Sequence, residues 1–128
     1  MTSVEVPYSI ACALPTLMAL DISNEVGREV ERSGLADGIA YVSPGGETAL
    51  VRVSEREDGF FEDLEALLAR LAPIDAAERE RLLVMLLGAR TEQVPFADGA
   101  LCLGRWQRIL LVTLDGAACD DWTVTLVG

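Results

Sequence analysis

Side chains able to do chemistry are scarce in these 128 residues, and the scarcity itself narrows the function. There is no histidine and no lysine, so all ten basic residues are arginines. Without lysine there is no Schiff-base chemistry. Without histidine the commonest general base and the commonest metal ligand are missing. The three cysteines, Cys12, Cys102 and Cys119, are far apart in sequence, whereas a zinc site or a disulfide framework needs more of them at closer spacing. Each lies among apolar or small residues, which predicts buried, reduced thiols in a cytoplasmic protein and not an activated thiolate beside a cation. What remains is carboxylates, densest in Glu55-Arg56-Glu57-Asp58-Gly59, and the set Arg105-Trp106-Gln107 ahead of an apolar run. The acidic run reads first as a solvated connection with Asp58 capping the next helix.

The elements that must position these groups are legible from periodicity. Val4 to Leu20 reads as one or two strands broken near Pro15. Ser23 predicts an N-cap for a helix from Asn24 to Ser33 with Val26 and Val30 as its apolar stripe and Gly34 as its stop. Asp37-Gly38 turns into a strand Ile39–Val42, and Ser43-Pro44-Gly45-Gly46 leads to another, Thr48–Ser54. A helix over Phe60–Leu71 places Phe60, Phe61, Leu64, Leu67, Leu68 and Leu71 on one face, with Pro73 ending it. A further helix, Ala76–Leu87 with Gly88 as stop, closes on six consecutive apolar residues. These cannot all face one core, so its last turns are deeply buried or lie against another subunit. Asp98-Gly99 between Val94–Ala97 and Ala100–Leu103 predicts a hairpin, and Ile109–Leu114 a strand buried on both faces, ended by Asp115-Gly116. Trp122–Val127 is a last strand with one packed face. The fold class is α+β: a largely antiparallel sheet or sandwich with three helices, in one domain spanning 1–128.

Charge excludes several partners. The net charge of −11 and isoelectric point of about 4.3 argue against nucleic acid and anionic membranes, which need a basic footprint. The longest apolar run, Ile10–Leu20, contains Pro15 and is too short for a bilayer, and no signal-peptide pattern opens the chain. A soluble, cytoplasmic protein is expected.

From Asp21 onward the sequence resembles the YjbQ family, small bacterial and archaeal proteins described as secondary thiamine-phosphate synthases. The resemblance rests on Asp21-Ile22-Ser23 with Glu25-Val26, on Ser33-Gly34 and Asp37-Gly38, and on Thr48-Ala49 with Glu55, Glu57-Asp58 and Glu62-Asp63-Leu64. It continues in Leu86-Leu87-Gly88 and in Val94–Ile109 with Asp115-Gly116, which matches a signature ending in Gly-Thr-Trp-Gln. The resemblance implies a YjbQ-like fold, a homotrimer with its site near subunit boundaries, and histidines that bind metal and catalyse. Those histidines are absent here. The family's His-Thr-Thr reads Gly46-Glu47-Thr48, a second histidine falls in a segment lost around Pro73–Ala77, and a third position is Arg81. The Thr of the signature is Arg105, and an arginine-rich run has become Ala117-Ala118-Cys119-Asp120-Asp121.

The candidates left for a site are Glu55, Asp63 and Gln107 as catalytic groups, and Glu47, Glu55, Asp58, Arg81, Arg105 and Trp106 as ligand-binding ones. Glu47, Glu55 and Asp58 could offer oxygens to a hard cation such as Mg²⁺, but local acidity is the sole ground, and no metal or cofactor is expected. Structural roles compete for the same residues: Trp106 as a core anchor, Gln107 as a buried partner fixing the strand's start, Asp63 as a cap or the partner of a nearby Arg. Arg81 bridged to Glu47 or Glu55 would plug the site. The expectation is a catalytically silent, oligomeric or ligand-binding module. The alternative is a low-activity enzyme of thiamine-phosphate synthase type using carboxylates.

Overall fold

A computed structural model describes residues 9–55, 57–73, 77–87, 90–114 and 121–128, without the side chains of 9–12 and 58. Among these residues the chain runs β1 (Ser9–Ala13), β2 (Met18–Asp21), α1 (Ser23–Ser33), β3 (Gly38–Pro44), β4 (Ala49–Glu55) and α2 (Asp58–Leu71). It continues α3 (Arg79–Leu87), β5 (Glu92–Ala97), β6 (Ala100–Leu101), β7 (Gln107–Thr113) and β8 (Trp122–Val127). The strands form two four-stranded sheets, the first in the order β1-β2-β7-β4 and the second β6-β5-β3-β8. All pairings are antiparallel. The α+β reading with three helices holds.

The first sheet is the middle layer. From β7, Ile109 and Leu111 join Ala49 and Val51 against Ala40, Val42, Val94 and Phe96 of the second sheet, with Val26 and Val30 of α1. The alternate residues Leu110 and Val112, with Leu114 just beyond, join Leu17 and Leu50 against Phe61 and Leu68 of α2 and Leu83 of α3. That two-sided burial is why the run from Ile109 lacks the alternation of a half-exposed strand. The Asp98-Gly99 turn has φ of 53° and 76°, the left-handed pair that a two-residue hairpin needs. The hairpin belongs to the second sheet and β7 to the first, so the stretch from Val94 to Leu114 links the two layers.

Several local expectations are corrected. Ser23 is the first residue of α1 and not its cap; Ile22 holds the cap position, with no side-chain cap bond. Ser23's own N–H donates to Asp21 Oδ1 at 3.1 Å. Similarly Asp58 opens α2, and the cap position is Glu57. Cys102 is exposed, because it falls between Leu101 and Leu103, whose side chains turn inward instead. Half of the apolar stripe of α2 stays in the open, since the first sheet covers Phe61 and Leu68 but not Phe60, Leu67 or Leu71. The side chain of Cys12, with Ala76, Gly88, Asp115-Gly116 and Cys119, lies outside the described residues. Among the described residues no helix is long and apolar enough to cross a membrane.

Candidate functional site

The start of β7 makes one side of a cleft. Gly104 and Gln107 close a tight turn: Gln107 N–H donates to Gly104 O at 3.0 Å, and Gly104 N–H donates to Gln107 Oε1 at 2.7 Å. A Cβ on Gly104 would lie 3.0 Å from that same Oε1, so the close approach favours glycine. The turn carries Arg105 and Trp106 at its tip. Trp106 is 65% exposed, and the Arg105 guanidinium carbon lies 4.9 Å from the ring centroid, a cation–π contact on the indole. Opposite Gln107 in the register is Glu55, the last residue of β4. Between them opens a cleft of about 520 Å³ lined by Asp21, Glu55, Glu57, Arg105, Trp106 and Arg108.

At its base sits an ion pair joining residues 87 positions apart, Arg108 Nε to Asp21 Oδ2 at 2.8 Å. The Asp21 side chain is almost wholly buried and that of Arg108 about one-third exposed. Burial opposes the charge on Asp21, but the hydrogen bonds from Arg108 and from the Ser23 backbone and hydroxyl outweigh it, with the guanidinium charge adding to them. The carboxyl is held below its ordinary value of 3.8. Around the pair, Arg108 donates to Asn24 Oδ1 at 3.3 Å, Ile109 N–H to Ser23 Oγ at 2.7 Å, and Ile22 N–H to Ile109 O at 2.9 Å. The start of α1 is thus stitched to the start of β7, and the cleft has a rigid, charge-compensated floor.

Of the residues singled out from sequence, the cleft gathers Glu55, Arg105 and Trp106. Trp106 is no core anchor: the turn projects it outward. Gln107 does fix the strand's start, but from an exposed position. Glu47 is exposed in the β3–β4 loop and Asp63 exposed on α2, and neither lines the cleft. Arg81 does not plug it either. It pairs with Glu78 at 3.1 Å, three residues back and just ahead of α3, where both are mostly exposed. The side chain of Asp58 is outside the described residues. Reading the sequence missed Asp21 and Arg108. The one available signal was an acidic residue closing an apolar strand, a place where a carboxylate must find a partner.

A metal of the kind the family histidines would hold does not fit these donors. Both Asp21 oxygens are engaged, Oδ1 by Ser23 and Oδ2 by Arg108, which leaves Glu55 and Glu57. Among the described residues no group of three or more acidic or cysteine side chains converges as a metal site. The arrangement suits recognition by stacking and charge.

The sequence profile described as UPF0047 protein YjbQ-like matches residues 15–128. The chain belongs to that family. A UPF0047 protein of Methanothermobacter thermautotrophicus is 32% identical over 119 residues, 85% of this chain and 82% of the relative. One from Archaeoglobus fulgidus is 36% identical over 107 residues, 76% and 81% of the two chains. Among solved structures, a YjbQ/UPF0047 family protein of Clostridium acetobutylicum superposes with a TM-score of 0.79 at 25% identity, covering 95% of this chain and 100% of its own. A YbjQ-like protein of unknown function from Sulfolobus solfataricus gives 0.77 at 26%, covering 94% and 93%. These likenesses cover nearly the whole chain.

Proposed function

We propose that this YjbQ-like protein is a self-associating binding module, a homotrimer without the metal-dependent thiamine-phosphate synthase chemistry that the family resemblance implies. One observation carries the reading. On α2, Phe60, Leu67 and Leu71 form an exposed apolar stripe, and on α3 so do Leu82, Met85 and Leu86, with Met85 83% exposed. The buried faces of both helices share one core cluster, so the stripes flank the same layer. Single exposed apolar residues are ordinary, but six on one layer mark a surface that another chain covers. Closed rotational symmetry would let identical copies cover it for one another. An exposed, unbridged Cys102 is consistent with a reducing, cytoplasmic setting.

Sedimentation velocity at micromolar concentration tests this. The expected species has about three times the 13.8 kDa chain mass, and the double variant Leu71→Glu, Met85→Glu runs as a folded monomer with unchanged far-ultraviolet circular dichroism. A monomeric parent protein sinks the proposal.

The cleft favours a second, compatible reading: a small cationic ligand that takes the place of Arg105 on the Trp106 ring, between Glu55 and Glu57. Titration with a quaternary ammonium compound is expected to quench fluorescence in the parent and not in Trp106→Leu. Residual turnover through Glu55 or Asp63 has less support, since Asp63 stands outside the cleft.

A further inference from the structure

We propose that the apolar cavity between α2 and the first sheet is a binding site for a small neutral compound, one ring or a comparably short hydrocarbon chain bearing a single hydroxyl or carbonyl. The cavity measures about 270 Å³ and shares no lining residue with the Trp106 cleft. Its depth is formed by Leu50, Phe61, Leu110 and Leu114, all buried. Close-packed interiors leave few voids larger than a water molecule. Away from Arg52 and Ser54 the walls are hydrocarbon and deny a water the two to four partners it would need, so most of the fitting occupant is apolar. The volume lies at the lower edge of ligand pockets, which selects a molecule of single-ring size.

Polarity along β4 defines the rest of the ligand. Leu50, Arg52 and Ser54 alternate onto the cavity side of the strand, running from aliphatic to polar. The Arg52 guanidinium donates to the carbonyls of Val51 at 2.9 Å and Leu87 at 2.5 Å, which makes it a fixed part of the wall. Ser54 supplies a hydroxyl for one hydrogen bond with the ligand. A cation would be stripped of water against the hydrocarbon walls, and an anion would also meet a protein of net charge −11. At the rim Phe60 is half exposed and packs edge-to-face on Phe61, with ring centroids 5.7 Å apart.

The test titrates p-cresol, toluene and benzoate into full-length, methyl-labelled protein by NMR, with sedimentation run in parallel. Saturable shifts are expected at the methyls of Leu50, Leu110 and Val112, with p-cresol binding more tightly than toluene and benzoate about tenfold weaker or absent. Val112→Phe fills the space and should weaken both neutral probes by about tenfold or more. Because a core variant can fail to fold, Ser54→Ala serves as the second: it should erase the advantage of p-cresol and leave toluene binding unchanged. Absent shifts, or shifts confined to Met85 and Leu86 on the outer surface, overturn the proposal. So does dissociation of an oligomer on saturation, which would assign the cavity to a side chain of a second copy.

Discussion

On the side of the first sheet facing its partner sheet, α1 buries Val26 and Val30 completely and is tied to β7 through Asp21, Ser23 and Arg108. On the other side, α2 and α3 bury Phe61, Leu68 and Leu83 but leave Phe60, Leu67, Leu71, Leu82, Met85 and Leu86 exposed, with a cavity beneath. Helix α1 carries only as much apolar surface as its own chain can cover, and polar bonds set its position. The other two carry a surplus, although polar bonds tie them down as well: Thr16 donates to Glu65 of α2, and Arg79 of α3 donates to the carbonyls of Ala72 and Leu114. The surplus is largest on the α2–α3 side, which is the face the proposed self-association would cover.

That contrast can be broken within a single helix. Phe61→Ala removes a buried ring and should cost about 3 kcal/mol in urea unfolding. Its neighbour Phe60→Ala should cost the isolated chain under about 0.5 kcal/mol, and weaken self-association instead. Equal losses in the two variants would mean that the outer stripe is part of the monomer's own core.

The inner side has a test of its own. The Asp21 carboxyl titrates below 3.8 in the folded protein, so its charge favours folding above that value, and the benefit fades as pH falls through the folded-state value. Asp21→Asn should therefore lose about 1–2 kcal/mol at neutral pH. The gap to the parent should shrink on acidification below pH 3.8. A gap constant with pH would mean that the ion pair with Arg108 contributes nothing.

The smallest effect lies where α3 begins. Glu78 has φ of 59°, a left-handed conformation that costs a non-glycine residue about 1 kcal/mol. The Arg81 pair that Glu78 would lose is mostly exposed. Glu78→Gly should therefore raise the thermal midpoint by a few degrees, measured by calorimetry. No rise would mean that the outer layer carries no backbone strain at this junction.

Local pattern was enough for much of this. Val26 and Val30 at helical spacing, Asp98-Gly99 between apolar runs, and the unbroken Ile109–Leu114 each name an element through neighbours a few residues away. The two-sheet arrangement and the cleft floor were beyond that reach. Asp21 and Arg108 meet across 87 positions, and nothing in either neighbourhood announces the other. Periodicity likewise identified the apolar face of α2 but could not say how wide a strip the sheet would cover. Trp106 misled for a related reason: a large aromatic just ahead of the apolar run from Ile109 suggests a core anchor, and only the Gly104–Gln107 turn shows that it points outward.

The position of β7 has a consequence for how the chain is made. Strands β2, Met18–Asp21, and β4, Ala49–Glu55, both pair with β7, Gln107–Thr113, which lies far downstream of each. During synthesis β2 and β4 must wait, with hydrogen-bonding edges open, until β7 has left the ribosome. Such distant pairings fold slowly, because each closes a long loop before any contact compensates for it. Truncations ahead of Gln107 should aggregate instead of populating a stable fragment.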